Sequence, residues 1–220
     1  MSDYPNDLVV VVADGAIQQV VHAILGLRRP SIGIRDIKFE IVKDAMHDSG
    51  SEAAADGLLR GFLRSHQYAI LVKDLEGSGR ESEGGAAMEQ SFKQFMEANG
   101  WVGRIETIVL EPEIESWIRF DSSAFAELIK GQARRRKMEA SDLKTVVSRC
   151  VDKTGGWNAL NKPNRPKEAF EGVLAEFGVV RSNSLYGKLA KHESLAGCQV
   201  LSFLKFKTLL QRWFAKDQQA

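Results

Sequence analysis

Leu8 to Val12 form an unbroken apolar run that stops at Asp14-Gly15, and Ile17, Val20, Val21, Ile24 and Leu25 then recur at the spacing of one helical face. A continuous run suits a strand covered on both faces, so this segment predicts a strand, an acidic turn and a helix that stops near Gly26 and Pro30. Ile37, Phe39 and Ile41 alternate with Lys38 and Glu40, the period of a strand with one wetter face, which points to an edge position. A polar, glycine-bearing loop over 46–52 carries His47 and Asp48 and leads to a helix with Leu58, Leu59, Phe62 and Leu63 on one side. At the centre of the pattern is the stretch 69–79. Its apolar residues predict a buried strand over 69–73, which breaks into a turn holding Asp74, Glu76, Gly77 and Gly79.

Residues 77–85 contain no apolar side chain and predict an exposed, mobile loop. Met88, Phe92, Phe95 and Met96 restore the helical period, which ends at Asn99-Gly100. A fourth strand over Ile105–Leu110 runs into Glu111-Pro112-Glu113-Ile114-Glu115-Ser116-Trp117, where Pro112 suits a first helical turn and the acidic residues suit its positive end. Strand and helix alternate to this point, which predicts an α/β fold with a mainly parallel, Rossmann-like sheet flanked by helices. Beyond Asp121 the strand signal fades. Residues 122–151 read as helical and polar, 157–167 as irregular, and 169–177 and the last segment as helical, with Leu201, Leu204, Leu209, Leu210, Trp213 and Phe214 placed to cap the core. The predicted organisation is an α/β core over 1–120 and a helical extension over 121–220 packed on it.

Composition narrows the function classes. The chain has 220 residues, 44% hydrophobic and 27% charged, with a formal net charge of +1, so no global charge directs it to nucleic acid or an anionic surface. No apolar run approaches a membrane span, the first residues lack a secretory pattern, and the two cysteines, Cys150 and Cys198, form no metal-spaced pair. Together these predict a cytoplasmic protein. Neither a Gly-x-x-x-x-Gly-Lys phosphate loop nor a Gly-x-Ser-x-Gly elbow is present, which disfavours nucleotide triphosphatase and serine hydrolase chemistry.

Three predicted strand exits carry acids: Asp14, then Asp74 and Glu76, then Glu111, Glu113 and Glu115. Open parallel sheets gather ligands beyond the carboxyl ends of their strands, and Mg²⁺ takes oxygen ligands from a few carboxylates, completing its shell with water and substrate phosphate. The competing reading makes these acids helix caps or partners of Lys and Arg on a solvated rim.

The segments Val9-Val-Val-Val-Ala-Asp14-Gly15, Ile70-Leu-Val-Lys-Asp74-Leu-Glu76-Gly77 and Glu111-Pro-Glu-Ile-Glu-Ser-Trp117 resemble the successive motifs of a TOPRIM-like domain. More narrowly, they are similar to small bacterial proteins related to the TOPRIM half of overcoming-lysogenization-defect nucleases. The likeness spans about the first 120 residues, with a weaker echo over 184–189 and 194–198. It implies Mg²⁺-dependent phosphodiester cleavage or transfer in an anti-phage defence setting. Asp14 would be a ligand or general base, Asp74 and Glu76 metal ligands with catalytic roles, and Glu113 and Glu115 further candidate ligands. Ile17-Gln18 stands where the family commonly has Thr-Glu, and two acids also depart from its pattern, since Asp14 replaces the family's first Glu and Asp74-x-Glu76 its Asp-x-Asp. Both changes keep the charge and move the carboxylate. A non-catalytic subunit that binds a partner protein or nucleic acid in a defence complex is therefore the alternative.

Residues 130–168 carry a net charge of +7, with Arg134, Arg135, Arg136 and Lys137 the densest tract. Such a cluster can neutralise nucleic-acid phosphates, or it can be a solvated helix face. Trp157 is either a stacking platform or an anchor to the core. The four histidines show no paired ligand spacing, and His47 alone follows a strand exit; the cysteines read as small buried side chains.

Overall fold

The computed structural model describes residues 4–44, 51–133, 140–193 and 197–216. Its centre is a four-stranded sheet of β1 (Asn6–Val12), β2 (Phe39–Lys43), β3 (His66–Asp74) and β4 (Ile105–Leu110), all parallel and in the order β2-β1-β3-β4. The inner strands β1 and β3 hold the two unbroken apolar runs, because both of their faces are covered by helices. β2 lies at the edge and is only half-buried, as its alternation predicts.

Strand pleating divides the interior in two. Leu8, Val10, Val12, Ile70, Val72, Ile108 and Leu110 face a large cluster shared with α1 (Gly15–Leu27), the short α2 (Arg29–Ile32) and the helices after residue 120: α5 (Ser123–Gln132), α6 (Ala140–Lys153), α7 (Pro166–Glu176), α8 (Asn183–His192) and α9 (Leu201–Phe214). Val9, Val11, Ala69, Leu71, Ile105 and Val109 face a smaller cluster with α3 (Glu52–Leu59) and α4 (Gly85–Met96). The protein is thus α/β and Rossmann-like, with a helical C-terminal part whose apolar side chains share the core of one sheet face.

α1 is held from outside by α8. A Cβ on Gly187 would stand 3.2 Å from Gln19 Oε1, so glycine permits the close approach, and Arg28 beyond the end of α1 donates to the carbonyls of Lys191 (2.7 Å) and Glu193 (2.9 Å). The two helices therefore run in the same direction.

Several local expectations change. β3 extends through Asp74, which pairs in register with Leu110, so this carboxylate sits on the strand end and not in the turn. α1 continues through Gly26 to Leu27 because its backbone ladder closes at Arg28 N–H on Ile24 O. After a cis Glu111-Pro112 peptide the chain stays extended through Glu113, and only Ile114–Trp117 wind into a 3₁₀ turn, so Pro112 opens no helix. The polar loop over 77–85 is largely exposed but tied: Glu81 accepts from Gly77 N–H (2.8 Å) and Gly79 N–H (3.3 Å), and Arg80 pairs with Glu52 and Glu83 at 2.7 Å each. In the final helix Phe203, Phe206, Leu209, Leu210 and Phe214 are buried, whereas Leu201 is exposed. Among the described residues no helix is long and apolar enough to cross a membrane.

Candidate functional site at the carboxyl edge of the sheet

β1 and β3 are neighbours with Val12 opposite Val72. Ala13 N–H still donates to Val72 O (3.1 Å), after which Asp14 caps α1 and Asp74 ends β3, each two residues beyond that last pair. Asp14 is extended (φ −140°, ψ 179°), and its Oδ1 accepts from Ile17 N–H at 2.8 Å, capping α1. Asp74 is buried at 8% exposure, whereas Glu76 is exposed. Glu76 N–H donates to Pro112 O (3.2 Å) and Leu75 N–H to Leu110 O (2.9 Å), so the exits of β3 and β4 are stitched together.

The acids after β4 have other commitments. Glu111 lies over the first turn of α4: a Cβ on Gly85 would fall 2.0 Å from its Oε1, and only glycine leaves that room. Glu113 is buried and accepts from Lys167 Nζ of α7 at 2.5 Å. Burial pushes the Glu113 carboxyl above its ordinary value despite Lys167, and the nearby Glu115 and Glu76 push the same way, while the bond to Glu113 holds the Lys167 ammonium up. Glu115, 1% exposed, accepts from Tyr186 Oη of α8 (2.5 Å) and from Arg181 Nη2 (3.1 Å), and Arg181 Nε donates to Tyr186 Oη (2.8 Å). Burial and the Glu115 carboxylate raise the Tyr186 phenol far above its usual range, so it remains the donor. The cations that engage these carboxylates come from α7 and from the connection between α7 and α8, and were not legible at motif scale.

On the opposite face, Lys73 and Asp44 form a buried ion pair at 3.6 Å, with Lys73 Nζ 5.7 Å from the centre of the Phe92 ring. Sequence reasoning missed both residues, although a lysine inside an apolar run signals a buried charge that requires a partner.

Among the described residues no three His, Cys, Asp or Glu side chains form a group able to hold a metal ion. A Mg²⁺ ion needs fewer, since one or two carboxylates with water and substrate phosphate suffice. Asp14 and Asp74 supply oxygen donors of that kind on adjacent strand ends, with Glu76 just beyond. Glu113 and Glu115 are engaged by Lys167, Arg181 and Tyr186.

The basic segment divides. Arg134, Arg135, Arg136 and Lys137, like His47 and Asp48, lie outside the described residues. Lys144, Arg149 and Lys153 are exposed on α6, with Arg149 paired to Glu176 at 2.8 Å, whereas Lys162 is buried and Lys167 serves Glu113. Trp157 packs against the large cluster and bridges to Pro163, an anchoring role. His66 is buried inside β3, and Cys150 and Cys198 are buried and unpaired. In comparisons with known proteins no family model matches the chain, and neither a curated protein nor a solved structure matches it.

Proposed function

We propose that the protein is a Mg²⁺-dependent nuclease or related phosphoryl-transfer protein of the TOPRIM-like class, acting in the cytoplasm within an anti-phage defence system. The observation that carries the chemistry is that Asp14 and Asp74 each stand two residues beyond the paired Val12 and Val72, at the carboxyl edge of two adjacent parallel strands. The likeness of the three strand-exit segments to TOPRIM-like motifs supports the class and the setting. On this reading Asp74 and Asp14 hold the ion, Glu76 reaches it from the exposed turn, and Glu113 with its Lys167 partner borders the site. A bound divalent ion polarises a phosphoryl oxygen and lowers the pKa of water. The chain's own groups orient: the cap to Ile17 N–H fixes the Asp14 carboxylate, and the Glu76–Pro112 backbone bond fixes the turn that carries Glu76. Exposed Lys144 and Lys153 on α6, together with the tract 134–137, suit phosphate backbone contacts.

Single- and double-stranded DNA and RNA incubated with Mg²⁺ or Mn²⁺ are expected to be cleaved by the wild-type chain and not by Asp74→Asn. Metal-independent cleavage, or none on any of these substrates, would overturn the nuclease reading. The second reading, a non-catalytic subunit that keeps the fold and binds a partner, is favoured by the engagement of Glu113 and Glu115 in ion pairs with Lys167 and Arg181. Failure to cleave combined with stable co-purification of neighbouring defence proteins would select it.

A further inference from the structure

We propose that the cleft bounded by Arg119, Asp121, Asn161, Lys162 and Gln199 is a binding site for a compact oxyanion, held between the Lys162 ammonium and the Arg119 guanidinium. The cleft has a volume of about 200 Å³, well beyond the ~10–15 Å³ that a single water requires. It lies beyond the 3₁₀ turn that follows β4 and stands independently of the nuclease reading.

Lys162 is 7% exposed, and its Nζ donates to Ile118 O at 2.7 Å. An ammonium has three donors, and among the described residues this is the one hydrogen bond it makes, with no carboxylate within 4.0 Å. A buried cation left with a single neutral acceptor is costly unless an anion joins it. Burial correspondingly pushes the Lys162 ammonium below its ordinary value. Glu193 and Asp121 are near enough to favour the Lys162 charge but make no ion pair with it: Glu193 accepts from Ser122 Oγ (2.5 Å), and Asp121 lies 3.6 Å from Arg119 Nε, longer than a charge-assisted hydrogen bond. Two cations, Lys162 and Arg119, thus line one cleft with a single loosely paired acid, Asp121.

The lysine is also set in a rigid frame. Asn158 Oδ1 accepts from the backbone N–H of Leu160 (2.9 Å) and Lys162 (3.1 Å), Asn158 N–H donates to Lys162 O (2.8 Å), and Trp157 bridges to Pro163. Asn161 adopts φ 55°, the left-handed conformation that asparagine tolerates better than most residues. A site organised before its ligand arrives loses little on binding.

The test is calorimetric titration of the full chain with inorganic phosphate, acetate and adenosine monophosphate, at constant ionic strength held with sodium chloride. At least one probe is expected to bind with a Kd below ~10 mM, and both Lys162→Met and Arg119→Gln to weaken it at least ~10-fold. Tighter binding of phosphate than acetate assigns a phosphate group, the reverse a carboxylate, and a further gain with adenosine monophosphate a nucleotide. Thermal melts supply a second readout, an upward Tm shift of a few degrees on ligand addition that both variants lose. Lys162→Met removes a buried charge without loss of volume; should it fail to fold, the half-exposed Arg119→Gln decides alone. Binding of no probe, or unchanged binding in a folded variant, overturns the proposal.

Discussion

Tyr186→Phe tests whether the C-terminal helices hold the β4 exit through the buried Glu115 carboxylate. The substitution keeps the ring, which packs at 1% exposure against Phe170, and deletes one hydroxyl. Glu115 then loses the nearer of its two donors, at 2.5 Å, and keeps only Arg181 at 3.1 Å, while Arg181 Nε loses its acceptor. Hydrogen bonds to charged groups contribute about 1.5–3 kcal/mol, and water can replace the lost acceptor for Arg181, whose side chain is 40% exposed. Water cannot do the same for Glu115, which is 1% exposed. The expected cost is about 2 kcal/mol, a fall in Tm of about 4–8 °C for a chain of this size. Urea titration followed by circular dichroism should show the midpoint falling by about 1 M with the slope unchanged. In a double-mutant cycle with Glu115→Gln, the pair should couple by about 1–2 kcal/mol. A Tyr186→Phe variant within ~0.5 kcal/mol of wild type would refute the argument that this bond is the main anchor of Glu115.

Asp44→Asn leaves the Lys73 ammonium buried beside a neutral amide, and a loss of about 3 kcal/mol is expected by urea denaturation. At Asp14 two roles separate. Asp14→Ala removes the α1 cap and should cost about 1 kcal/mol, whereas Asp14→Asn keeps a cap and should preserve Tm while weakening Mn²⁺ binding measured by electron paramagnetic resonance. His66 supplies a pH test. Burial lowers its pKa below the ordinary 6.5, against a smaller upward pull from Glu40, so the fold binds this proton more weakly than the unfolded chain does. Its contribution is therefore full above pH 6.5 and declines as pH falls through the lower folded pKa. Urea midpoints at about pH 7 and about pH 5 should differ less in His66→Gln than in wild type.

The strands and most helices were legible because burial on one face or two leaves a period in the chain. The unbroken runs Leu8–Val12 and Ala69–Val72 marked the inner strands, the alternation around Phe39 marked the edge, and the 3.6-residue recurrence from Ile17 marked α1. Asp14 and Asp74 were legible as strand-exit acids for the same reason, since each follows the last apolar residue of its run. That they leave neighbouring strands was not legible: it depends on β1 and β3 pairing directly, with β2 on the outside, an order that periodicity does not encode. Nor could periodicity show that Lys167, Arg181 and Tyr186 engage Glu113 and Glu115, or that Asp44 meets Lys73. Lys162 and Lys167 read as part of a basic surface, yet Lys162 is buried and the partly exposed Lys167 reaches the buried Glu113, because charge in a sequence carries sign but not direction. Local pattern determines which residues seek the interior. Only the tertiary packing, which brings residues 54 to 71 positions apart within hydrogen-bond distance, decides which charges meet there.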